Sequence, residues 1–352
     1  MRTFRQQCRP PISKSHEQVK NLRCLPEILA ESGYHTAYFH GYKGSFNDRR
    51  DFLPLVGFQQ LYFHADDFQG SIPENTNRIG WGVADTYIYK TMLEQLTGSE
   101  DRPFFAEIMT LSSHYPFNGD WNIDAPFKSI KRPTTPGQIY SNYQNAIYYE
   151  DYALGVFWRQ FEKSPLYDNT IVVITADHGI WSFDAAARNN ALLKNEQFFR
   201  LPLVIYHPEL KQHRAVDTLA SQIDVPPTLL ALLGKADDNR QFIGKNALAK
   251  VETPWSIMMK NGEIVTRVKN KICYKAVSDC QGNQQNCVGE SEISLFNGVL
   301  QNIECVTVAG DLLHDGKATP VGSDTELLQQ AFDLIRYSSK SVFQEKTSPP
   351  SS

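Results

Sequence analysis

The stretch IVVITADHGI, residues 171–180, runs β-branched apolar residues straight into Asp177, His178 and Gly179. A carboxylate and an imidazole on neighbouring residues can reach one divalent cation, and such an ion polarises a phosphoryl oxygen. The same tripeptide also suits a plain turn around a hydrogen-bonded acid. Three other places carry comparable chemistry. His40 closes YHTAYFHG, His114 stands in TLSSHYPF, and Arg49-Arg50 follow Ser45-Phe46. An arginine fork clamps phosphate through parallel bonds. A histidine beside an attacking hydroxyl or a leaving alkoxide can move a proton. The structural alternatives are a solvated basic turn for Arg49-Arg50 and backbone-satisfied histidines for His40 and His114. Which arginine points inward is open at this stage. Trp81 and Asp85, in GWGVAD, read as a turn and a helix cap.

The elements that must position these residues alternate. Leu22, Leu25, Ile28 and Leu29 keep helical spacing, with Gly33 as the residue past the end. YHTAYFHG then reads as a strand that stops at His40-Gly41. DRPFFAEIMTLSSHYPF repeats that pattern with His114. Residues 138–163 read as one long aromatic-rich helix, 170–176 as a strand ending at Asp177, and 201–206 as another strand. SQIDVPPTLLALLG opens a helix on proline and closes it on Gly234. Strands alternating with helices predict an α/β domain with a mostly parallel central sheet covered by helices. Ligands of such sheets gather at the carboxyl ends of strands. His40, His114 and Asp177-His178 all stand there.

The 352 residues are ample for one large core with a small appendage. Basic residues number 35 and acidic residues 39, for a net charge of −4. That balance, without a strongly basic stretch, argues against nucleic acid as a partner. No apolar run approaches the ~20 residues of a membrane span. After about residue 255 the character changes. SIMMKNGEIVTRVKNKICYKAVSDC alternates like a hairpin around Asn261-Gly262. The expected organisation is a catalytic α/β domain over 1–254, a small β-rich subdomain with a final helix over 255–340, and a disordered tail over 341–352. Cys273, Cys280, Cys287 and Cys305 cluster in the subdomain, which suits disulfides in an oxidising compartment rather than zinc. Cys8 and Cys24 form a weaker candidate pair.

VVITADHGI, followed by LPLVIYHPEL and SQIDVPPTLLALLG, resembles the alkaline phosphatase/sulfatase superfamily in motif and order. YHTAYFHGYKGSFNDRRDFLPLVGFQQLY, GWGVAD, TLSSHYPF and YYEDYALGVFW resemble its lipoteichoic acid synthase branch, across roughly residues 20–250. The resemblance implies an alkaline-phosphatase-like fold and a phosphoglycerol transferase. A threonine of such an enzyme attacks a phosphatidylglycerol-like lipid, and the phosphoglycerol group passes to a glycolipid or glucan acceptor. It implies a divalent metal, typically Mn2+, with Mg2+ or Zn2+ as alternatives. By motif position, Asp177 and His178 match metal ligands, His40 and Arg49 match the residues that hold the phosphoglycerol group, and His114 matches the substrate-side histidine. It implies a place in the cell envelope, at the outer face of the cytoplasmic membrane or in the periplasm, with the membrane reached through other segments.

The pattern departs from the family at the start. The nucleophilic threonine and the first acidic metal ligand belong upstream of the helix near residue 25, and neither is expected within this chain. Thr3, the hydroxyl beside Met1, is not expected to replace the nucleophile. The expectation is a catalytic domain lacking its N-terminal part, with little turnover by itself. A sulfatase or phosphodiesterase-type hydrolase, or an inactive phosphoglycerol-binding remnant, are the alternatives.

Overall fold

The computed structural model describes residues 23–63, 78–79, 81–98, 102–117, 138–180, 196–210, 214–236, 242, 244–250, 255–260, 263–268, 271–276, 304–309 and 317–320. Two compact units divide the chain: Ile12–Val172 with Ile205–Lys211, and Met1–Pro11 with Val173–Val204 and Gln212–Ser352.

In the first of these, helix α1 (Leu25–Glu31) buries Leu25, Ile28 and Leu29, the residues whose spacing announced it. Pro26 sits in its first turn, where a missing N–H costs nothing. Gly33 follows at φ +88°. Strand β1 (His35–His40) is buried at every position after the first. A strand covered on both faces is the mark of a parallel sheet with helices on each side. β1 indeed pairs in parallel with β2 (Gln60–Phe63) on one edge and β5 (Phe104–Met109) on the other. The register sets His40 opposite Phe63 in β2 and Met109 in β5. Buried Thr36 locks the approach to β2: its Oγ1 donates to the Gly57 carbonyl at 2.7 Å and accepts the Gln59 N–H at 3.0 Å.

Tyr38, Leu53, Val56, Phe58 and Phe63 form a core cluster between β1, β2 and helix α2 (Arg49–Leu55). A fully buried side chain such as Phe63 stabilises by about 2–3 kcal/mol. Strands β3 (Arg78–Ile79) and β4 (Gly82–Val83) form a short antiparallel pair that leads into helix α3 (Asp85–Thr97). Helix α4 (Gln138–Phe161) buries Ala146, Tyr149, Ala153, Phe157 and Phe161, one helical face. Tyr89 of α3 stacks on Phe157 with ring centroids 5.0 Å apart.

Strand β6 (Val172–Thr175), most of which lies in the other unit, pairs with β7 (Leu203–Tyr206). Helix α5 (Val225–Leu232) starts on Pro226-Pro227. Buried Asp224 anchors that start by accepting the N–H groups of Ser221 and Lys245, each at 2.8 Å. Strands β8 (Trp255–Lys260), β9 (Glu263–Val268), β10 (Lys271–Ala276), β11 (Glu304–Ala309) and β12 (Lys317–Pro320) form a small antiparallel sheet in the order β12-β11-β10-β9-β8. Lys260 pairs with Glu263 across β8 and β9, and Asn261-Gly262, the expected turn, lie outside the described residues. Backbone register sets Cys273 directly opposite Cys305. The predicted final helix and tail, and Cys8, Cys280 and Cys287, lie outside the described residues. Cys24 is a free, half-buried thiol, against the weaker expectation of a bond to Cys8; burial, aided by Glu27, pushes it up to about 11.

Candidate functional site

His40 is the last residue of β1 and is 2% exposed. Its Nδ1–H donates to the Met109 carbonyl at 2.9 Å across the β1–β5 register. Its Nε2 accepts from the Arg49 guanidinium, also at 2.9 Å. A guanidinium only donates, so Nε2 is the unprotonated nitrogen and the ring is neutral. Burial lowers His40 to about 4; the bond to Met109 opposes this, and the charges of Arg49 and His114 add to it. Both ring nitrogens are thus engaged within the protein.

Arg49 opens α2 after Asn47 and Asp48, which take φ +55° and +54°. That left-handed step turns the chain so that Arg49, not Arg50, meets His40. The second amino group of Arg49 lies 3.5 Å from the Met109 sulfur, and its guanidinium lies over the Phe46 ring at 5.4 Å. Arg50 packs instead over Phe63, at 5.5 Å. Tyr42, Phe46 and Trp81 form an aromatic collar, with neighbouring centroids 5.4–6.0 Å apart.

His114 follows β5 in the loop held by its own N–H bond to the Leu111 carbonyl, at 3.0 Å. Its Nδ1–H donates to the Tyr115 carbonyl at 2.6 Å, and its ring lies 4.4 Å from that of Trp81. Trp81 therefore belongs to the surroundings of His114, beyond the turn role read from the sequence. Asp85 is not the expected cap. Ala84 is the N-cap of α3, and the Asp85 carboxylate instead accepts the Leu111 and Ser112 N–H groups. His40, Arg49, Trp81 and His114 therefore meet at the carboxyl ends of β1 and β5.

Asp177 and His178 extend from the end of β6 in the other unit. Gln222, just before α5, donates its side-chain amide to the carbonyls of Ala176 and Asp177, at 2.8 Å each. Phe198 stacks on His178 with centroids 4.9 Å apart and planes 5° from parallel. The Gly179 N–H donates to the Phe198 carbonyl at 2.7 Å. Nothing larger than glycine fits, since a Cβ there would lie 2.2 Å from the Gln197 carbonyl oxygen. The tripeptide therefore lets the chain pass close under another backbone at Gly179 while the Asp177 and His178 side chains stay exposed. Gln222 stands in SQIDVPPTLLALLG, but its role was not legible because it acts on backbone carbonyls far back along the chain; Phe198 carried no signal in the sequence.

These residues fit a divalent cation as a pair of donors. His178 spends Nδ1 on the Gly179 carbonyl at 2.7 Å, which leaves Nε2 as the nitrogen that could meet a cation. That nitrogen lies 3.7 Å from Asp177 Oδ2, and the two side chains are 56% and 70% exposed. Ligands bound at about 2.1 Å lie roughly 3.0–3.5 Å apart at right or tetrahedral angles, so a small rotation suffices. Carboxylate plus imidazole suits a borderline divalent metal. Among the described residues no group of three or more His, Cys, Asp or Glu gathers, so Asp177 and His178 supply only part of a coordination sphere.

His40 gives the site a pH signature. Unfolded histidine titrates near 6.5, so between about 4 and 6.5 the unfolded chain binds more protons at this residue than the folded one. The contribution is full above about 6.5 and is lost as pH falls towards 4, a loss of about 3 kcal/mol. Asp85 has the opposite sign: burial raises it to about 6, so its cost grows as pH rises towards 6. A difference measurement separates them. The stability gap between the parent and His40→Gln, from urea unfolding, is expected to narrow by about 3 kcal/mol between pH 7 and pH 4. A gap that does not move with pH means that His40 is not held neutral.

Comparison with known proteins follows the same lines. The Sulfatase family model matches residues 5–235. Lipoteichoic acid synthase 1 of Bacillus subtilis (strain 168) is 32% identical over 252 residues, covering 69% of this chain and 37% of that protein. Lipoteichoic acid synthase 2 of the same organism is 29% identical over 303 residues, covering 83% of this chain and 45% of that protein. The chain thus spans less than half the length of these relatives. Among solved structures, lipoteichoic acid synthase LtaP of Listeria monocytogenes superposes with a TM-score of 0.72 at 19% identity, over 96% of this chain and 72% of that one. An alkaline phosphatase superfamily protein of Vibrio parahaemolyticus gives 0.69 at 21% identity, over 96% and 72%. The fold is the α/β fold of that superfamily.

Proposed function

The chain belongs to the Sulfatase family, and from that premise we propose that it is the catalytic portion of a metal-dependent phosphoglycerol transferase of the lipoteichoic acid synthase type. One observation carries the reading: neutral, buried His40 holds Arg49 at the end of β1 while His114 stands at the end of the adjoining β5. A guanidinium fixed by a neutral acceptor keeps its full charge for a ligand. That is what a phosphodiester headgroup requires. The similarity to two lipoteichoic acid synthases of Bacillus subtilis supports phosphoglycerol over sulfate as the transferred group.

In this reading Arg49 clamps the non-bridging oxygens of a phosphatidylglycerol-like donor, and His40 fixes the plane of the clamp. Asp177 and His178 hold a divalent cation, most naturally Mn2+, which would supply Lewis-acid stabilisation of phosphoryl charge. The nucleophile is a threonine that the family pattern puts N-terminal to α1. Its oxygen forms a bond to phosphorus as the bond from phosphorus to the diacylglycerol oxygen breaks. His114, through Nε2, is the group that takes the proton lost by the threonine hydroxyl and passes it to that leaving oxygen. The acceptor hydroxyl of a glycolipid or glucan then displaces the threonine. No helix among the described residues is long and apolar enough to cross a membrane.

The test uses phosphatidylglycerol labelled in its headgroup, Mn2+ and a glycolipid or glucan acceptor, with the full-length protein. Label on the acceptor supports the transferase. Label released only as free glycerol phosphate favours a hydrolase, and turnover of a sulfate ester instead of the lipid overturns the proposal. Asp177→Ala is expected to weaken Mn2+ binding at least about tenfold, read by the electron paramagnetic resonance of free Mn2+. Unchanged Mn2+ binding removes the pair from the metal site.

A further inference from the structure

Across the carboxyl ends of the paired strands β1 and β5, beside His40 and His114, runs the segment Trp81–Asp85, to which the reaction above gives no role. It touches both strand ends. The Val83 N–H donates to the Gly41 carbonyl, immediately after His40, at 3.0 Å. Gly82 passes so close that a Cβ on it would lie 2.1 Å from the same carbonyl oxygen. Three residues on, fully buried Asp85 accepts the Leu111 N–H on Oδ1 and the Ser112 N–H on Oδ2, both at 2.9 Å. The Leu111 carbonyl in turn accepts the His114 N–H at 3.0 Å. Trp81, at the other end of the segment, lies 4.4 Å from the His114 ring.

We propose that Trp81 and Asp85 are positioning residues for His114: Asp85 fixes the backbone of the loop that carries it, and Trp81 fixes the orientation of its ring. Asp85 is placed for this and not for its own helix, because α3 starts on Ala84 without a side-chain cap. A buried carboxylate is costly unless it is fully bonded, and its bonds go to the His114 loop. With an N–H on each oxygen, the arrangement is that of an ionised carboxylate. Burial raises Asp85 to about 6, against the pull of its hydrogen bonds, so it is ionised at neutral pH.

The idea that this matters for the reaction rests on the function proposed above; the positioning itself does not. The experiment therefore has two arms. In the first, histidines are labelled with 13C and the His114 resonance is assigned by its loss in His114→Ala. The ring current of Trp81 displaces that resonance in the parent chain. Trp81→Leu is expected to return it to the position of an unstacked histidine, and Asp85→Asn to move it the same way or broaden it as the loop samples several states. In the second arm, glycerol 1-phosphate is titrated into each variant. Asp85→Asn is expected to weaken binding about tenfold in the parent and less than about twofold on the His114→Ala background, because coupled residues are not additive.

A folded Asp85→Asn with an unmoved His114 resonance overturns the role of Asp85, and an unmoved resonance in Trp81→Leu overturns that of Trp81. Equal losses on both backgrounds reduce Asp85 to a purely structural group. If Asp85→Asn does not fold, partly exposed Trp81 still decides the proposal through Trp81→Leu. If the parent chain does not bind glycerol 1-phosphate, the phosphoglycerol reading fails while the resonance arm still decides the positioning.

Discussion

Replacing Arg49 by lysine is expected to weaken the binding of glycerol phosphate by about 10- to 100-fold, with calorimetry on the folded variant as the check. Two losses combine. A lysine ammonium cannot reproduce the planar fork that grips two phosphate oxygens while also donating to His40. The variant also leaves the Nε2 of a buried imidazole without its donor, and an orphaned buried acceptor costs about 1–3 kcal/mol. Arg50→Lys is the control, since its guanidinium lies over Phe63 and its backbone N–H donates to Gly44. It is expected to leave the affinity within about twofold. Equal losses in the two variants would remove the special status of Arg49.

Gly179→Ala is expected to destabilise its unit by about 2–4 kcal/mol and to weaken Mn2+ binding at least about tenfold. The added methyl meets two backbone oxygens, Gln197 at 2.2 Å and Phe198 at 3.0 Å, and neither is the mobile end of a side chain. The chain must separate from Phe198, which breaks the 2.7 Å bond from the Gly179 N–H. It also shifts the ring that lies flat on His178. Thermal unfolding and Mn2+ titration check the two parts. A variant that binds Mn2+ like the parent would show that the turn does not set the geometry of Asp177 and His178.

Much of this architecture was legible in the chain. Apolar spacing located α1, and YHTAYFHG located the strand that stops at His40. The rule that ligands gather at strand carboxyl ends brought His40 and His114 into one place, because β1 and β5 are adjacent parallel strands. Three things were not legible. The choice between Arg49 and Arg50 depends on a left-handed pair of residues, Asn47 and Asp48, that no periodicity reveals. Asp85 stands at the start of a helix, where its residue type reads as a cap. Its bonds to Leu111 and Ser112 exist only because the fold brings residues 26 and 27 positions away beside it. Gln222 supports Asp177 across 45 positions by contacting backbone carbonyls, which have no sequence identity to recognise.

Met109 has a consequence for how the site handles a newcomer. Its carbonyl is committed to His40, but its sulfur is what the outer amino group of Arg49 rests against, at 3.5 Å. A thioether is a weak acceptor. Had a carboxylate stood there, an arriving anion would first have to break a strong ion pair. With sulfur as the resting partner, half of the guanidinium is anchored by His40 and the other half is on loan. Under the proposed function, an arriving phosphate oxygen would displace only this weak sulfur contact, and little rearrangement would precede capture.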